Sequence, residues 1–186
     1  MRDFKLGRWA MFGFVLAAPV LGPGCGNNDD DKQMPEDPDR ERIEKGLTVS
    51  PVPLNLDGKD RNLVGLGSYL VNVQSACAGC HTAPPYVEGG DPYQGQPERI
   101  NTARFLAGGV FFGPGLVSPN ITPDASGNPG GASFEEFERY MRTGREDNGD
   151  ILQVMPWPSY KDMSDREVRA IYEYLRAIPR IESTRP

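Results

Sequence analysis

Cys77-Ala78-Gly79-Cys80-His81 is the stretch that most constrains this chain. The pattern C-x-x-C-H is the attachment motif of c-type haem. Two thiols three positions apart on a helical turn reach the two vinyl groups along one edge of a porphyrin. The next residue then turns an imidazole toward the iron from one face. Its nitrogen is borderline-soft and suits both oxidation states of iron. Two other chemistries use C-x-x-C. A redox dithiol of the thioredoxin type sits near a βαβ pattern, and none surrounds this motif. A structural zinc site needs two more Cys or His; the chain offers only Cys25, far upstream, and no second His.

The inventory of residues narrows the chemistry further. One His in 186 residues means one motif and one expected covalent haem. An iron held by two His is excluded within the chain. The sixth ligand is then Met, Lys, water or a group from a partner. Hydrophobic residues make up 38% of the chain, lean for a self-sufficient core, and a buried porphyrin would supply the missing apolar surface. The 22 Gly and 18 Pro predict a loop-rich fold. A formal net charge of −6 argues against a nucleic-acid partner.

Residues 1–24 read as an export signal. Arg2, Lys5 and Arg8 form a positive start, and Trp9 to Leu21 is an uncharged, mostly apolar run. It is short for a bilayer span, although an uncleaved anchor is the alternative. Leu21-Gly22-Pro23-Gly24-Cys25 follows and resembles a bacterial lipoprotein signal, in which the Cys becomes a lipidated first residue. Gly22 departs from the Leu such signals favour three positions before the Cys. With the haem taking two of the three Cys, Cys25 has no disulfide partner. Gly26 after it suits sorting to the outer membrane. Eight acids and four bases lie between Asp29 and Lys45, so residues 25–59 are expected to be a solvated, disordered acidic tether.

The haem domain is expected over residues 60–180, with 181–186 a tail. Leu63, Val64, Leu66, Leu70, Val71 and Val73 predict a first helix from about Asp60 to Gln74. Gly65 and Gly67 weaken it and imply close approach of a second helix. From Thr82 to Gly131 the chain reads as loop, broken by Pro84-Pro85, Gly89-Gly90, Gly108-Gly109 and Gly113-Pro114-Gly115. Its apolar clusters allow a short hairpin, and a haem to wrap explains so long a loop. Asn120-Ile121-Thr122 matches a glycosylation sequon, discounted for a bacterial lipoprotein. Ser133-Phe134-Glu135-Glu136 is a capping box that starts a helix with Phe134, Phe137 and Met141 on one face, ended by Gly144. Ser164-Asp165-Arg166-Glu167 is a second capping box. Val168, Ile171, Tyr172 and Leu175 follow at helical spacing, and Pro179 ends the run.

Elimination among six Met points to the sixth ligand. Met1 and Met11 lie in the signal, and Met34 lies in the tether. Met141 suits a core face, and Met163 suits a hydrophobic staple with Val168. Met155 precedes Pro156-Trp157-Pro158, which keeps the backbone extended and presents a thioether from a stiff loop. The bland alternative for Met155 is loop packing. Lys161 is the nearest rival ligand and would have to lose its proton.

These features together resemble a monohaem class I cytochrome c. More narrowly, Gly67-Ser68-Tyr69-Leu70-Val71, Ser118-Pro119-Asn120-Ile121-Thr122-Pro123-Asp124, Arg142-Thr143-Gly144, Met155-Pro156-Trp157 and Ala170-Ile171-Tyr172-Glu173-Tyr174-Leu175 are similar to the haem domains of cytochrome c subunits that serve bacterial dehydrogenases. The resemblance covers about residues 60–180. It implies an all-α class I fold of three to four helices around one haem, with first and last helices crossing at Gly and aromatic residues. It implies Cys77 and Cys80 as covalent haem attachments and His81 and Met155 as axial ligands. Those subunits often carry several haem domains, whereas this chain has one.

The expected function is single-electron transfer by an exported, lipid-anchored carrier on the periplasmic face, with redox proteins as partners and no small-molecule substrate. One rival is a haem peroxidase or gas sensor with an open sixth site, for which Met155 is the discriminating residue. Another is a bound subunit of a dehydrogenase complex.

Overall fold

Asp60 starts the central helix by accepting, through its carboxylate, the backbone N–H groups of Asn62 and Leu63 at 2.8 and 3.1 Å. The computed structural model describes residues 37–182; residues 1–36, which include the signal-like stretch and Cys25, and residues 183–186 lie outside them. Among the described residues six α-helices appear: α1 (Arg40–Val49), α2 (Arg61–Tyr69), α3 (Ala78–His81), α4 (Phe134–Thr143), α5 (Trp157–Tyr160) and α6 (Asp165–Ala177). One short hairpin, β1 (Phe111–Gly113) and β2 (Leu116–Val117), interrupts the long loop. A π turn over Leu70–Gln74 continues α2, so the expected first helix is present with a widened last turn. None of the helices among the described residues is long and apolar enough to cross a membrane.

Both glycines of α2 are contact points. A Cβ at Gly67 would lie 1.9 Å from the Ala170 carbonyl oxygen and 2.8 Å from the Tyr174 Cβ, so α6 packs directly on the α2 backbone there. A Cβ at Gly65 would lie 2.7 Å from the Ile43 carbonyl oxygen, and one at Gly46 only 1.8 Å from the Gly65 carbonyl oxygen. Gly65 therefore receives α1, and Gly67 receives α6. Tyr174 is fully buried at this centre, with its hydroxyl 3.1 Å from the Asn72 amide and 3.2 Å from the Ser50 hydroxyl. The expected apolar face of α6 is buried throughout: Val168, Ile171, Tyr172 and Leu175.

α1 corrects the expectation that residues 25–59 form a disordered tether, over its described part. Ile43 is buried, Leu47 packs against the core, and Gly46 admits the α2 backbone. The charges that made the stretch look solvated are paired across the fold. The Arg166 guanidinium binds Asp37 and reaches Asp39 at 3.0 Å. Arg42 reaches Asp39 at 2.7 Å and Glu167 at 3.2 Å. Farther on, the Asn55 N–H donates to the Ala177 carbonyl at 2.8 Å, so residues 50–56 also lie against α6. Six helices replace the expected three to four because α1 is folded and α3 and α5 are single turns.

Both capping boxes are closed, with Glu136 and Glu167 returning to their Ser N-caps. Phe134 and Phe137 pack on Tyr172 with ring centroids 5.3 and 5.5 Å apart, and Met141 is buried. Arg142 then ties the end of α4 to the start of α6. Its guanidinium donates to the carbonyls of Lys161 and Met163 and to the Asp165 carboxylate at 2.8 Å.

Candidate functional site

Cys77 to His81 leave the π turn of α2 through a strained corner. Ala76, just before Cys77, has φ +47°, rare for a residue with a Cβ. The backbone then closes one helical turn, with the His81 N–H donating to the Cys77 carbonyl at 2.9 Å. That turn sets both thiols and the imidazole on the wall of one cavity of about 570 Å³. The volume lies within the roughly 300–1,000 Å³ typical of ligand and cofactor sites.

Met155 lies on the same cavity wall, as do Val71, Phe137, Tyr160, Ile171 and Leu175. All four residues expected at the site, Cys77, Cys80, His81 and Met155, are therefore brought together. Met163 is not among the lining residues, and its contacts are with the core. Lys161 is engaged at the surface, its Nζ 2.5 Å from the Asp162 carboxylate. Met141 is buried as expected, but it also lines the cavity. Tyr160 is a wall residue that sequence reasoning missed; its spacing five residues after Met155 carries no signal of its own.

His81 is held at two points. Its Nδ1 lies 3.0 Å from the Pro119 carbonyl oxygen. A carbonyl only accepts, so Nδ1 carries the proton and Nε2 keeps a free lone pair. The His81 carbonyl accepts from the Gly108 N–H at 2.7 Å. Burial lowers the imidazole pKa, and the Pro119 carbonyl only partly opposes this. The ring is thus neutral at pH 7, the form that ligates metal. The neighbouring loop is fixed as firmly. Leu106, fully buried at φ +60°, donates its N–H to the Thr82 hydroxyl at 3.0 Å, and its carbonyl accepts from the Ile121 N–H at 3.0 Å.

Burial pushes the Cys77 thiol up to about 12. A redox dithiol needs a thiolate at neutral pH, a form that burial disfavours at Cys77. Among the described residues no group of three or more His, Cys, Asp or Glu could hold a metal ion, and the zinc reading lacks its ligands. The donor set does fit a haem: two thiols and a neutral imidazole on an otherwise largely apolar cavity, with a thioether on the same wall.

A helix-rich fold with little strand, built around C-x-x-C-H and an apolar cavity, is consistent with a cytochrome c domain. No family model matches the chain. The chain is 34% identical over 131 residues to the gluconate 2-dehydrogenase cytochrome c subunit of Pantoea cypripedii, covering 68% of this chain and 26% of that protein. It is 32% identical over 129 residues to the alcohol dehydrogenase (quinone), cytochrome c subunit, of Gluconobacter oxydans, covering 69% and 24%. A third relative is the fructose dehydrogenase cytochrome subunit of Gluconobacter japonicus, 29% identical over 119 residues, covering 62% and 21%. The chain thus spans about a quarter of the length of these curated relatives. It is similar to the haem domains of dehydrogenase cytochrome c subunits.

Proposed function

We propose that this chain is an electron-transfer subunit that works with a dehydrogenase, accepting single electrons from it and passing them to a further redox protein. The relatives' names support a partnered subunit over the free carrier expected from the sequence. One observation carries the reading: Cys77, Cys80, His81 and Met155 line one apolar cavity. Cys77 and Cys80 would hold one haem c covalently, His81 Nε2 and the Met155 thioether would be axial ligands, and the fold would wrap the group in the class I manner. When bound, the haem supplies one-electron chemistry between ferric and ferrous iron.

The chain's own residues do the rest. The Pro119 carbonyl keeps the His81 proton on Nδ1. Val71, Phe137, Ile171 and Leu175 give the cavity an apolar wall, which would lower the dielectric around a bound haem. A soft thioether favours the reduced state, so His/Met ligation sets a higher potential than harder ligand pairs. With Met155 closing the sixth position the chain is a carrier of electrons and has no catalytic residues of its own.

Export, a lipid on Cys25 and a place on the periplasmic face, in the outer membrane, complete the proposal; they rest on the sequence of residues 1–26. Three experiments test it. Double substitution Cys77→Ala/Cys80→Ala abolishes haem that survives denaturing electrophoresis; retained covalent haem contradicts the attachment. Affinity purification of the exported protein from its native membranes retains a larger dehydrogenase subunit; purification without one returns the reading to a free carrier. Cys25→Ala releases the protein from the membrane fraction, and unchanged membrane binding contradicts lipidation.

A further inference from the structure

The sequon-like stretch Asn120-Ile121-Thr122 has a role that the electron-transfer reading leaves unused. The Asn120 side-chain amide donates to the Ile181 carbonyl at 2.7 Å. The Thr122 hydroxyl donates to the Asn120 Oδ1 at 2.7 Å and accepts from the Ile181 N–H at 3.1 Å. Thr122 is buried, 2% exposed. Two side chains thus satisfy both backbone groups of Ile181 and clip the segment after α6 onto the loop that carries Pro119.

Pro119 is adjacent to Asn120, and its carbonyl is the acceptor for His81 Nδ1. Its other side is braced. A Cβ at Gly108 would lie 2.5 Å from the Pro119 carbonyl carbon, so the two backbones are in direct contact. The 118–123 stretch belongs to no helix or strand. Backbone bonds tie it to Leu106, Gly109, Val110 and Gly130; Gly108 braces Pro119 on one side, and the Asn120–Thr122–Ile181 clip is the side-chain contact that holds it on the other.

We propose that Asn120 and Thr122 are positioning residues for His81, acting through Pro119, with the C-terminal segment at Ile181 as their anchor. This rests on His81 as an axial ligand. A second-sphere acceptor on the far ring nitrogen makes the imidazole more basic. A more basic ligand favours ferric iron, so a firm Pro119 contact holds the potential down. Loosening the clip weakens that contact and shifts the equilibrium toward ferrous iron.

The test compares Asn120→Ala, Thr122→Val, Thr122→Ser and a chain ending at Arg180 with the parent, all with covalent haem. Two quantities are read: the reduction potential, and the exchange rate of the His81 Nδ1–H by proton NMR in the reduced state. Asn120→Ala, Thr122→Val and the shortened chain favour ferrous iron threefold to tenfold, tenfold being 59 mV for one electron, and speed Nδ1–H exchange. Thr122→Ser keeps the hydroxyl and behaves like the parent. Ile43→Ala, a core change in α1 away from both the cavity lining and Ile181, lowers thermal stability without moving either quantity. Potential and exchange rates unchanged in all three loosened forms overturn the proposal. The shortened chain leaves the loop itself untouched and decides the matter if the point variants do not fold. A parent whose NMR spectrum shows no His81 on the iron overturns the ligand reading itself, a distinct outcome.

Discussion

Gly144 lies flat against the indole of Trp157: a Cβ at residue 144 would come within 2.3 Å of the Trp157 Nε1. Gly144 also ends α4 in the left-handed conformation, φ +63°, and its carbonyl accepts from the Leu152 N–H at 2.8 Å. The backbone N–H of Trp157 in turn donates to the Met155 carbonyl at 2.8 Å. The end of one helix thereby positions the loop that presents the thioether.

Gly144→Ala is therefore expected to act on both stability and the iron site. A left-handed non-glycine residue costs about 1–2 kcal/mol, and Trp157 must also move. A total near 2 kcal/mol lowers Tm by about 4–8 °C in a chain of this size. Calorimetry measures that fall. The weak far-red band of sulfur–iron(III) charge transfer is expected to weaken in the same variant. A normal band with a lowered Tm would separate Gly144 from Met155.

α1 gives a second test, because its docking does not involve the cavity. Gly46→Ala sets a methyl 1.8 Å from the Gly65 carbonyl oxygen, and such overpacking costs about 1–3 kcal/mol. Amides of residues 40–49 are expected to lose hydrogen-exchange protection while the haem absorption spectrum stays that of the parent. Protected α1 amides, or a changed spectrum, would contradict the independence of this helix from the site.

What was legible in the sequence had local causes. The capping boxes at Ser133 and Ser164 fix two helix starts within four residues, and both are present. The glycine pattern of α2 announced a close neighbour, and α6 meets Gly67. α1 was missed because five of its ten residues are charged. The partners of its charges, Glu167 to Arg42 and Arg166 to Asp37 and Asp39 just before it, lie more than a hundred residues away. At the site, C-x-x-C-H is a local pattern, and Met155 emerged from what the other methionines were doing. The Pro119 contact to His81 was invisible, since a backbone carbonyl 38 residues away has no side-chain signature. The cavity wall comes from several separate segments and has no period to read.

Acid should release α1 before it opens the core. The Arg166 guanidinium, through its hydrogen bond, holds Asp37 below the usual carboxylate range. Burial raises the Glu167 pKa, but the Ser164 backbone and hydroxyl and the Arg42 guanidinium outweigh it, and the net shift is downward. Both folded values lie below the unfolded ones. The stabilisation is thus fully present above about pH 5 and lost as pH falls below about 4. Hydrogen exchange at low pH is expected to show α1 opening while α2 and α6 stay protected, and Arg166→Gln should produce the same opening at pH 7. Equal loss in all three helices would contradict a separate clamp.

The axial ligand is the point on which the functional reading turns. The most direct measurement is the ferric far-red spectrum of the parent, Met155→Ala, Met141→Leu and Met163→Leu, with carbon monoxide binding to each reduced form. Ligation by Met155 predicts a far-red band and no rapid carbon monoxide binding in the parent. It predicts loss of the band, an open iron and a lower potential in Met155→Ala, and parent-like behaviour in both Leu variants, since Met-to-Leu exchange in a core costs less than about 1.5 kcal/mol. A parent that binds carbon monoxide rapidly, or a band that survives Met155→Ala, would contradict the electron-carrier reading and favour a peroxidase or gas sensor.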